Sequence, residues 1–311
     1  MAGQVGFKTE STWGTAVTVD KFMPVVRAHP GSGVPRRIPR QGISARRIRK
    51  PGKKGAILVK PRLELEVSNK NGIAILFKHL FGAVSTSGAG PYTHTYTPGS
   101  HLGDSMTVQV GITDATDTVR PFTAAGVKVG SWELACAVGG NLMLTMDCSA
   151  KSVVTATALA SASYSDDEAF TFVEGTVSIG GSSVASARSF TLRCNKNLRD
   201  ERLVLGAQAI LQQLEDGFFD ITGTVEADFD DLTLYASAVA GTTVAIVLTF
   251  TSAGAGAETL TITMSGELTG DPPELSTPGL QSQTLNFEID HASSDASAIT
   301  AVLVNGESSA A

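Results

Sequence analysis

With 311 residues and 42% hydrophobic side chains, the chain can bury a large core, which excludes a protein disordered throughout. Thirty-two glycines, 6% aromatic residues and short alternating runs of Thr, Val, Ser and Ala favour an all-β fold with a few short helices. The formal net charge of −6 conceals two opposite surfaces: residues 1–70 carry fifteen Lys and Arg against four acids, net +11, which leaves −17 on the other 241.

The start MAGQVGFKTESTWG has no apolar stretch, which argues against a secretory signal. From Lys21 to Arg62 there are thirteen basic residues and no acid. In the arm 27–62, Pro30, Pro35, Pro39, Pro51 and Pro61 are interspersed with Gly31, Gly33, Gly42, Gly52 and Gly55, which specifies an extended chain. Like charges at this density call for an anionic partner, either nucleic acid or the acidic remainder of another copy. No aromatic residue lies between Met23 and Leu63, so the arm lacks groups on which bases could stack.

From Gly55 the run ILVKPRLELEV predicts a strand. Ser68 or Asn69 is placed to cap a helix with the apolar stripe Ile73, Leu76, Phe77, Leu80 and Phe81, ended by Gly82. A Gly- and Ser-rich insertion follows, then strands in SMTVQVGI and FTAAGVKVGSWELACAV and a hairpin partner, NLMLTMDC. A turn at Gly139, Gly140 and Asn141 would set Val138 opposite Leu142, Cys136 opposite Leu144, Leu134 opposite Met146 and Trp132 opposite Cys148. Cys136 and Cys148 are then too far apart for a disulfide, and with Cys194 they read as structural thiols.

Ser152 to Ser165 is uncharged and light, a linker or edge segment. The second half begins with the strand FFDITGTVEADF, followed by a helix LTLYASAVA capped by Asp230 or Asp231 and ended by Gly241. Then come TVAIVLTFT, ETLTITMSGEL, a Pro-rich turn from Asp271 to Pro278, LQSQTLNFEID and AITAVLVNG. Strand, helix, strand, strand, strand thus occurs twice, which predicts tandem β units at 1–152 and 169–311 joined by 153–168. A basic segment also precedes the second unit: Arg188, Arg193, Lys196, Arg199 and Arg202. Gly241 interrupts the uncharged run after Leu232, so it reads as a short helix and a strand, not a membrane span.

Catalytic patterns are missing. His29, His79, His94, His101 and His291 are scattered without HExxH or paired spacing, and His79 reads as a polar-face helix residue. There is no GxSxG, and Gly254 and Gly256 lack the Lys of a phosphate-binding loop. A non-enzyme without metal or cofactor is expected.

The opening GFKTESTWGTAVTVDKFMPV, with Gly6, Glu10, Trp13, Gly14 and Thr15, resembles the start of tail tube proteins of long-tailed bacteriophages of the siphophage type. LFKHLFGA, GTVEADFDDLTLY and STPGLQSQTLNFEID resemble later features of that family. The resemblance implies a tail-tube β-sandwich or barrel, six domains to a ring, with rings stacked into a conduit for genome delivery. It further implies an acidic lumen, transit of double-stranded DNA without specific binding, and contact with tape measure, tail terminator and distal tail proteins. The protein would be made in the host cytoplasm and reside in the virion tail, with no membrane partner. The arm would reach the neighbouring ring, so contact candidates are Arg27, Arg36, Arg37, Arg40, Arg46, Arg47, Arg49, Lys50, Lys53, Lys54 and Lys60, with Arg188, Arg193, Lys196, Arg199 and Arg202 from the second segment. True duplication would make three chains a pseudo-hexameric ring; otherwise six chains form it. The alternative is a non-specific DNA-binding or architectural protein that uses the arm as a clamp.

Overall fold

The computed structural model describes residues 3–42, 47–100, 102, 104–199, 201–210, 217–230, 232–254, 258–269, 272, 281–289 and 294–310. Arg46, His101, Asp231, Gly256, His291 and the turn from Asp271 to Pro278, apart from Pro272, lie outside the described residues.

The chain opens with β1 (Gln4–Thr9) and β2 (Lys21–Phe22), and the basic arm starts at β3 (Arg27–His29). Inside the arm, β4 (Arg37–Ile38) and β5 (Lys53–Lys54) make a separate two-stranded ribbon. Next come β6 (Arg62–Glu66), α1 (Ile73–Phe81), β7 (Gly82–Ser87), β8 (Tyr92–Pro98), β9 (Met106–Thr113), β10 (Val119–Ala137), β11 (Met143–Ser149) and β12 (Ser152–Val154). The remainder holds β13 (Gly175–Ile179), β14 (Ser182–Ser183), β15 (Ala187–Asn195), β16 (Asp220–Asp228), α2 (Thr233–Ala240), β17 (Thr243–Thr251), β18 (Thr259–Thr269), β19 (Ser282–Ile289), α3 (Asp295–Ala298) and β20 (Ile299–Asn305). The fold is all-β with short helices, as the composition required. The Gly- and Ser-rich insertion folds as the hairpin β7–β8, and β8 then pairs with β20 from the far end of the chain.

One sheet runs through both halves in the order β3, β6, β11, β10, β15, β16, β19, β18. The pairing order of the first four strands recurs in the last four. In each set a helix follows the second strand: α1 after β6, α2 after β16. β10 also carries β9 and β12, as β18 carries β17 and β20. Such a long strand can serve two sheets because it bends: β10 shifts register between Ala124 and Val127, where Gly126 takes φ +68. The apolar faces enclose one continuous core that includes Phe77, Trp132, Leu192, Phe250 and Leu285.

Local chemistry departs from expectation at the start of α1 and at Asp230. α1 begins after Gly72 in a left-handed conformation with no side-chain cap from its own segment. Instead the carboxylate of Glu307, delivered by β20, accepts from the amides of Gly72 (2.6 Å) and Ala74 (3.1 Å). Leu232, at the start of α2, supplies no side-chain cap, and Asp230 accepts from the Ser186 hydroxyl at 2.7 Å, while Asp231 lies outside the described residues. Gly82 and Gly241 end the two helices as expected. His79 is buried rather than on a polar face: its ring meets Thr9 at 3.1 Å, and its carbonyl accepts from Lys196 at 2.7 Å. α1 is buried on nearly all sides, so an apolar stripe alone could not reveal its environment.

The β10–β11 register lies two residues from that expected. Leu134 faces Leu144 and Trp132 faces Met146. The shift preserves the apolar face because the side-chain period is two. Its cause is tertiary: the Val138 amide bonds to Arg188 O and the Leu142 amide to Phe170 O, so these two residues are drawn to other segments.

The opening motif surrounds a buried carboxylate. Glu10 is 3% exposed and accepts from Gly14 N (2.8 Å), Gly126 N (2.9 Å), Ser105 Oγ (2.7 Å) and Thr107 Oγ1 (2.8 Å). It ties the first turn to β9 and to the bend of β10. Trp13 beside it lies under the ammonium of Lys151, 5.0 Å from the ring centre.

All three cysteines are buried and unpaired. Burial pushes the thiols of Cys148 and Cys194 up to about 12 and raises that of Cys136. Ellman's reagent at about pH 8 is therefore expected to label them only after denaturant is added. Thiols of the unfolded chain ionise near 9, so the stability due to neutral buried thiols is intact below that pH and is lost as pH rises through 12. Rapid labelling of the native protein would contradict this.

Candidate functional site

The eight-stranded sheet has one apolar face in the core and one open polar face. Cross-strand register places the open-face residues in rows. One row reads Arg27, Glu64, Thr145, Glu133, Arg193, Thr222, Glu288, Glu267. A second reads Glu66, Met143, Ala135, Thr191, Thr224, Asn286, Thr269. Towards one end lie Arg62, Asp147, Ser131, Asn195 and Asp220, and towards the other Ser189, Glu226 and Thr284.

These rows carry eight carboxylates against three arginines, so the face is anionic. Two arginines are already engaged: Arg193 reaches Glu133 at 2.6 Å and Arg62 reaches Asp147 at 3.3 Å. Glu267 and Glu288 stand directly opposite one another, a like-charge pairing that costs stability rather than adding to it. Apart from such charges and from Met143 and Ala135, the surface is Thr, Ser and Asn, with hydroxyls and amides bonded sideways, as in Thr224 to Asn286 at 3.1 Å. Sequence reasoning assigned no role to these acids. Their signal was present as alternation in LELEV, SWELACAV, DITGTVEAD and QTLNFEI.

The arm leaves the sheet at the end where Pro61 O accepts from Cys148 N at 2.8 Å and Lys60 donates to Ser149 Oγ at 3.2 Å. Its backbone is tied down again where Ile57 N donates to Gln208 O at 2.7 Å. Arg27, Arg36, Arg37, Arg40, Arg47, Arg49, Lys50, Lys53 and Lys54 are all exposed and make no ion pair among the described residues. Three apolar side chains are exposed with them: Val34 (74%), Ile38 (57%) and Ile48 (83%).

The second basic segment is not an arm. Arg188 and Arg193 belong to β15, a central strand, and Arg188 pairs with Asp228 at 2.7 Å. Lys196 is fully buried; its ammonium donates to His79 O and lies 5.7 Å from the Phe219 ring centre, a core contact rather than a surface cation. Arg199 is exposed, and Arg202 is half-buried with partners of its own. Among the described residues there is no group of three or more His, Cys, Asp or Glu that could hold a metal, and no helix long and apolar enough to cross a membrane.

A family model described as phage tail tube protein matches residues 2–289. No curated protein matches the chain.

Proposed function

The chain belongs to the phage tail tube protein family, a structural component of the virion tail, and on that premise we propose that copies polymerise as stacked rings into the conduit for genome delivery, with the open sheet face lining the lumen. The observation that carries this reading is the face itself: a broad polar surface, anionic and without an exposed cationic cluster. Phosphates are repelled from such a wall and remain hydrated, so DNA slides without binding.

The recurring strand order supports duplication. Two units lie side by side within one chain, joined through β10 and β15. Repeating that seam between copies would set β18 against β3 of the next chain. Three chains would then close a pseudo-hexameric ring and remove the exposed sheet edges. The +11 end and −17 body add head-to-tail attraction between rings. Tape measure, terminator and distal tail proteins are the partners expected at the tube ends.

Electron microscopy of the purified protein tests the reading. Stacked rings with threefold or pseudo-sixfold symmetry and the acidic face inward are expected. A map with that face outward would overturn it, as would a protein that stays monomeric and shifts duplex DNA through residues 36–54.

A further inference from the structure

At the end of the sheet opposite the arm is an apolar cleft of about 340 Å³. Its walls include Cys136, Val138, Phe172, Val177, Phe190 and Phe250, with Arg188 as the one charged lining residue. The floor is built by the core: Phe190 and Phe250 are almost fully buried, with ring centres 5.8 Å apart. Two apolar lining residues are exposed, Val138 at 65% and Phe172 at 40%, and Val173 next to Phe172 is 76% exposed. Carboxylates surround the cleft. Glu226 is tied to Ser189 of the wall at 3.2 Å, Asp228 is paired with Arg188, and Glu174 follows directly on Val173.

β10 connects this cleft to the arm. The strand passes Ser131, beside the arm root of Lys60 and Pro61, and ends at Ala137, which lines the cleft with Val138. Six residues of strand separate the two, about 20 Å. One end of each molecule thus presents exposed apolar residues among arginines that make no ion pair among the described residues, and the other a cleft whose one lining cation, Arg188, is paired with Asp228 and whose neighbours include Glu226 and Glu174.

We infer that the cleft is the socket for the arm of a second copy, filled by Ile48, with Arg47 and Arg49 on either side meeting the rim carboxylates. This rests on the head-to-tail stacking proposed above and names the surface that receives the arm. Ile48 is 83% exposed in the single chain, and its flanking arginines make no ion pair among the described residues. A plug and socket at opposite ends of the same strands is a heterologous contact, which propagates instead of closing. Burying the isoleucine removes apolar surface from water, and the flanking charges set orientation.

The test is a cross-link between two chains, one carrying only Ile48→Cys and the other only Val138→Cys. Cys148 and Cys194 are buried away from the cleft, and Cys136, which lines it, is changed to serine in both chains, so a short bismaleimide is expected to join the two variants once tubes form. Ile48→Asp should raise the concentration needed for tubes about tenfold or more, while Ile48→Leu should not. Tubes that form without the cross-link, or an unchanged threshold for Ile48→Asp, overturn the socket and leave stacking intact. Wild-type protein that forms no tubes overturns both.

Discussion

Replacing Glu10 with alanine is expected to destabilise folding by about 4 kcal/mol, measured by urea denaturation. The carboxylate accepts four hydrogen bonds inside the protein, two of them from backbone amides that cannot turn elsewhere. Alanine leaves Gly14 N and Gly126 N unpaired in a site where Glu10 is only 3% exposed. It also frees the turn that carries Trp13 and Gly14 from the bend of β10. Glu10→Gln can retain part of the set and should fall between. A loss under about 1 kcal/mol for Glu10→Ala would mean that the amides find water, and the anchoring role would be wrong.

Converting Glu64, Glu267 and Glu288 to lysine is expected to turn the conduit into a DNA trap. The three side chains stand on the open face and form no ion pair among the described residues. The change leaves five carboxylates against six cations on a face that had eight against three. Each lysine beside a phosphate releases counterions, so retention should be strong at low salt and fall steeply as salt rises. Short duplex DNA should sediment with variant tubes at least about tenfold more than with wild-type tubes, and nuclease protection should place it inside. Equal, nuclease-sensitive sedimentation of both would show that this face is not the lumen wall.

Much of the fold was legible in the sequence. Alternation announced β6, β9, β10, β11 and β16 to β20, and Gly82 and Gly241 marked the helix ends. β15 was read as a basic segment because Arg188 and Arg193 dominate a run whose apolar members, Phe190, Leu192 and Cys194, also alternate. The cap of α1 was unreadable, since Glu307 lies more than two hundred residues from Gly72. Lys196 was counted with surface cations because charge alone does not disclose burial.

The amino-acid sequence by itself determined which segments are strands, which side of each is apolar, and that the positive charge gathers in one Pro- and Gly-rich arm. Those are local properties, set by the period-two pleat and by composition. Only the tertiary structure decided that acids on six different strands share one face, and that the arm and the cleft occupy opposite ends of it. Strand order and register depend on contacts between residues far apart in the chain, and no local pattern encodes them.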